Sequence, residues 1–412
     1  MRTADDHRAF APLPPPAVDD ADTRRDDGRA ISATLSRPRE HHLDAVRGLL
    51  MLLGIPFHAA HPFRADGGSW FVLAGERSSA LTAAMEFLHL FRMQGFFLLA
   101  GYFTAMLLLR QEAGTYLRSR MTRLLPPLLV SLCVLVPIAN LLGALQEPDR
   151  AAAIARWRWQ LTHVGRHTTG HLWFVIVLLY LSVASAAICR ALPAVRAGWI
   201  AAPAWLSHRT LPALLIALAL VTAVVQSALL LAVKVLPEIV NVPGAVIFAA
   251  EYLPYFVIGA ALHRCQGAYQ QFIRTNALVA IIGVVAAIYS VGWSGDLPAF
   301  VRRVPAAVAA LCLTQVIVAG AATVFTAGRA WIKELVDASF VIYLVHLPLL
   351  IGLFWIVDSL TTSIALRFIV PSLLTLLISL LIWREVKRVP LLLFLLSGVR
   401  GREPRPALPP PG

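Results

Sequence analysis

The chain has 412 residues, of which 58% are apolar and 14% charged, against about 25% charged in an ordinary soluble domain. A mean hydropathy of +0.70 excludes a soluble globular protein of this size, and the composition equally excludes disordered, collagen-like and disulfide-scaffold chains. The net charge of +13 sits mainly in short loops and tails, as membrane orientation requires, and no basic run interleaved with aromatics offers a nucleic-acid surface. These numbers predict an all-α, polytopic integral membrane bundle of about ten transmembrane helices.

Residues 1–40 are polar, rich in Asp and Arg, and carry Pro14-Pro15-Pro16. They are expected to form a disordered tail, with no apolar segment of signal-peptide type before residue 43. Apolar spans follow at about 43–61, 83–109, 124–145, 171–189, 211–233, 244–263, 276–293, 304–325, 338–357 and 364–383, each near the roughly 20 residues that a bilayer crossing takes. The stretch 389–397 is too short to cross and is expected to lie at the membrane surface. Residues 399–412, ending Pro409-Pro410-Pro411, repeat the character of the first tail, which leaves 41–398 as the transmembrane domain. Of 36 Lys and Arg, 24 fall on loops and tails that share a side with the N-terminus and 10 on the other side. The excess of positive charge on the inner side then puts both termini in the cytoplasm. Cys133, Cys189, Cys265 and Cys312 stand singly with no CxxC pair, so neither zinc nor structural disulfides are expected.

An ionisable residue inside a span costs several kcal/mol and is a functional candidate by default. They cluster here: Asp44, Arg47 and His58 in span one, Glu86, His89 and Arg92 in span two, Glu251 in span six and His346 in span nine. Arg47 and His58 are eleven residues apart, so at about 100° per residue they return to within roughly 20° and lie about 16 Å apart along the axis. Asp44 shares that stripe, and Pro56 is expected to bend the helix just before His58. A snorkelling Arg and a His satisfied by a neighbouring helix is the plainer reading of this span. Arg92 cannot sit in lipid; a structural ion pair with Glu251, at similar depth, would explain it without chemistry.

After span two, Arg118, Arg120 and Arg123 occupy an inner loop. Arg120 and Arg123 share a face if that loop is helical and could grip phosphates by forked hydrogen bonds; membrane anchoring is the alternative. The outer loop 146–170 holds Trp157 and Trp159, then His163 and His167, which suits either an interfacial belt or sugar stacking. His171-Leu172-Trp173-Phe174 opens span four, and Tyr343 and His346 lie three apart on one face of span nine.

Together these residues resemble the membrane acyltransferase-3 family: an Arg and a His separated by ten intervening residues in the first helix (Arg47, His58), an Arg-x-x-Arg in the first inner loop (Arg120, Arg123), His171-Leu-Trp-Phe at the fourth helix, and Tyr343-Leu-Val-His346-Leu-Pro348 near the end. Further segments, Met51 to His58, Phe91-Arg-Met-Gln94, Gly101-Tyr-Phe103 and Tyr252-Leu-Pro254, resemble the branch of that family that succinylates osmoregulated periplasmic glucans. The resemblance implies an enzyme of the bacterial inner membrane with no permanently bound cofactor; no metal is expected, since no intramembrane His, Asp or Glu group has clear ligand spacing. Its acyl-donor co-substrate would be cytosolic succinyl-CoA, or acetyl-CoA. It further implies a periplasmic glucan acceptor, and other proteins of glucan biosynthesis as partners.

Under that resemblance Arg120 and Arg123 contact the donor nucleotide, the pantetheine arm runs along the stripe from Arg47 to His58, and the thioester arrives beside His58. A hydroxyl attacking a thioester needs a base, and imidazole is the usual one near pH 7. Glu251 or His346 would orient the ring. Arg92 is the candidate partner for the distal carboxylate of a succinyl group, with His171, Trp173, Tyr343 and His346 as further substrate contacts. Two other readings remain: O-acetyl transfer to another cell-envelope polysaccharide, and a glycan or acyl transporter with His58 and Glu251 as a proton relay.

Overall fold

The computed structural model describes residues 40–67, 71–163, 165–192, 209–235, 245–293, 295 and 297–400; the tails expected at 1–40 and 399–412 fall almost wholly outside them. The described residues form helices and turns and no strand. Among the described residues nine helical stretches are long and apolar enough to cross a membrane. A tenth crossing results if Gln266–Phe272 (α11) and Ala277–Gly292 (α12), bent by 73°, count as one.

The first crossing is two helices, α1 (His41–Leu52) and α2 (Gly54–Ala60), parted at Leu53. Pro56 has no N–H to offer the Leu52 carbonyl and crowds it, so the break expected at Pro56 registers one turn earlier. The ladder resumes through Leu53 N–H to Leu49 O (2.9 Å) and Phe57 N–H to Leu53 O (3.2 Å). The second crossing is α3 (Ser79–Arg110), whose start is capped by Ser78 Oγ accepting from Leu81 N–H. The loop expected after it is helical: α4 (Ala113–Val130) begins three residues beyond Arg110 and runs through a π turn (Ser131–Leu135) into α5 (Val136–Ala144). That turn takes up an extra residue just before Pro137, which cannot continue an ordinary ladder.

The connection 146–170 is also folded, as α6 (Arg150–Thr162) and the short α7 (Arg166–Thr169), followed by a 3-10 turn over Gly170–Leu172 into α8 (Trp173–Ala191). The rest comprises α9 (Leu211–Val235), α10 (Ala245–Arg264), α11, α12, α13 (Ala299–Val324), α14 (Ala330–Asp358), α15 (Ile364–Val386) and α16 (Pro390–Ser397). Residues such as Val224, Ile281 and Leu373 present exposed apolar faces, as helices in lipid do.

The tightest packing joins α3 to α10. A Cβ on Gly101 would stand 1.8 Å from the Phe256 carbonyl oxygen, and one on Gly259 1.7 Å from that of Leu98. Each helix thus puts a glycine against the other's backbone, the small-residue contact that brings membrane helices together. Arg92 on α3 and Tyr252 on α10 are carried by this pair.

Candidate active site

Two helices and two 3-10 turns (His61–Phe63 and Gly170–Leu172) bring histidines together around His58. Its ring centroid lies 5.2 Å from that of His346 (α14), 5.4 Å from His61 and 6.5 Å from His171. His171 and His346, 5.1 Å apart, both donate to one acceptor: His171 Nε2–H at 3.1 Å and His346 Nδ1–H at 2.6 Å to the Tyr343 carbonyl. The Tyr343 hydroxyl in turn donates to the His171 carbonyl. These bonds fix the tautomer of each neutral ring; His171 Nδ1 and His346 Nε2 have no hydrogen-bond partner among the described residues.

Arg92 stands against this cluster. It is 6% exposed, and its Cζ lies 4.4 Å over the Phe57 ring. Its Nη1 occupies the space beside Gly54, 2.9 Å from where a Cβ would be. No carboxylate pairs with it, and Nε is buried without a hydrogen-bond partner among the described residues. A guanidinium out of water with no anion beside it is costly.

His58, His61, Arg92, His171 and Tyr343 line a cavity of about 830 Å³, within the range of small-molecule sites. Its lining also includes Asn140, Gln146 and Pro148, and Arg156 and Gln160 of α6. Phe248 and Trp173 of the lining head a stack of rings that continues behind it: Phe248 on Trp173 (4.2 Å), Trp173 on Tyr252 (5.4 Å) and Tyr252 on Phe97 (4.8 Å). Trp159, 53% exposed, stacks on His163 at 4.5 Å and does not line the cavity. Trp157 donates to the Pro137 carbonyl at 3.0 Å. Outside the spans, Arg64 donates to Asp66, which raises its already high pKa.

The site residues expected from the sequence divide. His58, Arg92, His171, Trp173 and Tyr343 line the cavity, and His346 backs it through His58 and His171. Glu251 is not in the lining and makes no ion pair with Arg92. Tyr252, its neighbour, takes the inward face of α10; the Glu251 carboxyl lies within electrostatic reach of Arg303 on α13, and its backbone carbonyl accepts from Gln226 Nε2 of α9 at 2.7 Å. Arg47 pairs with Asp44 at 3.2 Å and sits 5.3 Å over Phe103, away from the cavity. Arg120 and Arg123 share a face of α4, Arg120 over the Tyr116 ring (5.5 Å) and Arg123 exposed. His61 joins the cluster without having been singled out, although its i+3 spacing from His58 was a usable signal. Among the described residues no group of three or more His, Cys, Asp or Glu is arranged to hold a metal ion.

A multi-helix membrane bundle with a histidine cluster in a cavity defines a class that the family comparison identifies. The acyltransferase domain family matches residues 40–384, and the chain belongs to it. It is a multi-pass membrane acyltransferase, which takes an acyl donor as co-substrate. The chain is 27% identical over 372 residues to glucans biosynthesis protein C of Salmonella gallinarum (strain 287/91 / NCTC 13346), covering 89% of this chain and 96% of that protein. Proteins of the same name from Salmonella schwarzengrund (strain CVM19633) and Salmonella agona (strain SL483) match with the same identity and coverage. No solved structure matches.

Proposed function

We propose that this protein sits in the bacterial inner membrane with both termini in the cytoplasm and transfers a succinyl group from cytosolic succinyl-CoA to hydroxyls of periplasmic glucans. The observation that carries the reading is the convergence of His58, His171 and Tyr343 on one cavity, with His346 behind them. The name of the Salmonella relatives supports a glucan acceptor, and the excess of basic residues on one side supports the orientation.

In the proposed step a glucan hydroxyl enters from the α6 end and gives its proton to the His58 imidazole as its oxygen attacks the thioester carbonyl. The C–O bond forms, a tetrahedral oxyanion follows, and the C–S bond then breaks. The departing thiolate takes the proton from imidazolium, so the products are a glucan ester and free CoA thiol. His346, held by the Tyr343 carbonyl, keeps the His58 ring in place. Trp173 supplies an aromatic wall, while Arg120, Arg123 and Arg47 hold the donor's nucleotide and arm at the other end. Glu251, turned away from the cavity, has no part in this step.

The test is transfer of label from radiolabelled succinyl-CoA or acetyl-CoA to periplasmic glucan in proteoliposomes. Succinyl transfer that needs His58 supports the reading; transfer from acetyl-CoA alone moves the protein to O-acetylation of envelope polysaccharide. Absence of transfer from either donor, with folded protein, overturns it.

A further inference from the structure

An arginine that is 94% withdrawn from solvent normally has a carboxylate beside it. Arg92 has none among the described residues, and no side chain or carbonyl accepts a hydrogen bond from it. The site is nevertheless built for it. Gly54 leaves the room that Nη1 fills, Phe57 supports the guanidinium face, and the cation lines the same cavity as His58. The missing partner therefore comes with the substrate.

The chemistry of that partner follows from position. Arg92 Cζ and the His58 ring centre lie 4.4 and 5.0 Å from the Phe57 ring centre, so they are separated by at most the sum of those lengths. A four-carbon dicarboxylic acyl group spans roughly 4 Å between its end carbons, from C–C bonds of about 1.5 Å. A hydrogen bond of about 3 Å joins the carboxylate to Arg92, and the attacking hydroxyl occupies the space between the acyl carbon and His58. Only an acyl group with its own negative charge would give this guanidinium a lasting counter-ion; a reaction oxyanion is transient and common to every donor.

We infer that Arg92, placed by Gly54 and Phe57, is the donor-selecting residue. It binds the terminal carboxylate of a short dicarboxylic acyl group while His58 serves the other end. This rests on the acyl-transfer reading above and adds to it a charge requirement and a length limit. Longer dicarboxylic chains have to fold to keep both contacts, and uncharged chains of the same length leave Arg92 unpaired.

The experiment compares acyl-CoA donors in proteoliposomes with glucan as acceptor: succinyl against butyryl, which has four carbons and no carboxylate, then acetyl and adipyl. Wild type is expected to favour succinyl-CoA over butyryl-CoA at least tenfold in kcat/KM, with adipyl-CoA below succinyl-CoA. Arg92→Gln is expected to lower the succinyl-to-butyryl ratio at least tenfold, and Arg92→Lys to restore part of it. Equal use of succinyl and butyryl by wild type overturns the inference even if neither variant folds. A ratio unchanged in a folded Arg92→Gln also overturns it, and assigns Arg92 to the oxyanion instead. Absence of transfer from every donor is a different failure, that of the acyl-transfer reading itself.

Discussion

Tyr343 and His171 are bound to each other twice: the His171 ring donates to the Tyr343 carbonyl, and the Tyr343 hydroxyl donates to the His171 carbonyl. This pair of bonds joins α14 to the turn before α8, two segments 172 residues apart in sequence. Both residues are buried. Tyr343→Phe leaves the His171 carbonyl without that donor, at a cost of about 1–3 kcal/mol. The expected result is a lower melting temperature of the detergent-solubilised protein together with reduced transfer. An unchanged melting temperature would show that the second bond contributes nothing.

His58→Ala removes the proposed base and should lower the transfer rate by about 10²–10⁴-fold, with protein of wild-type elution on size exclusion. Labelled-donor assays on the same preparation measure both. Retention of more than a tenth of the rate would move the base elsewhere in the cluster, with His346 and His61 next to be replaced.

Arg120 and Arg123 stand three apart on α4, away from the cavity, and only the family resemblance connects them to the donor. Replacing both with Ala should raise KM for the acyl-CoA at least tenfold with little change in kcat. Losing nucleotide contacts far from the thioester removes binding shared by ground and transition states. A fall in kcat at constant KM would contradict a docking role.

Gly259→Ala puts a Cβ 1.7 Å from the Leu98 carbonyl oxygen, which only separation of α3 from α10 relieves. Overpacking of this kind costs about 1–3 kcal/mol, so the yield of monodisperse protein should drop. Gly114→Ala, with nothing within 4 Å of the new methyl, is the matched control and should be neutral or slightly stabilising. Equal yields from the two variants would mean that the close approach does not limit folding.

The crossings were legible because a run of about 20 apolar residues has few alternatives. So was the meeting of His58, His171, Tyr343 and His346, through the family pattern. Sequence pointed less well to direction around an axis. Glu251 and Tyr252 are adjacent, and which of them faces inward depends on the stack that Trp173 and Phe97 build from two other helices. The alternative of an Arg92–Glu251 ion pair fails for that reason. The folded segment α6 and the helical start of α4 were hidden by their polar composition, which reads as loop when apolar periodicity is the guide.

The glycine contacts between α3 and α10 also bear on motion. Two backbones in direct contact have no side-chain layer to shear, so these helices must travel as one piece, with Arg92 and Tyr252 in fixed relation. Whatever displacement admits a bulky thioester to the cavity therefore falls on the neighbours that touch this pair through side chains, α1, α2 and α13 among them. A disulfide staple across α3 and α10 should be silent in turnover, whereas one fastening α2 to α14 should arrest it and release it again on reduction.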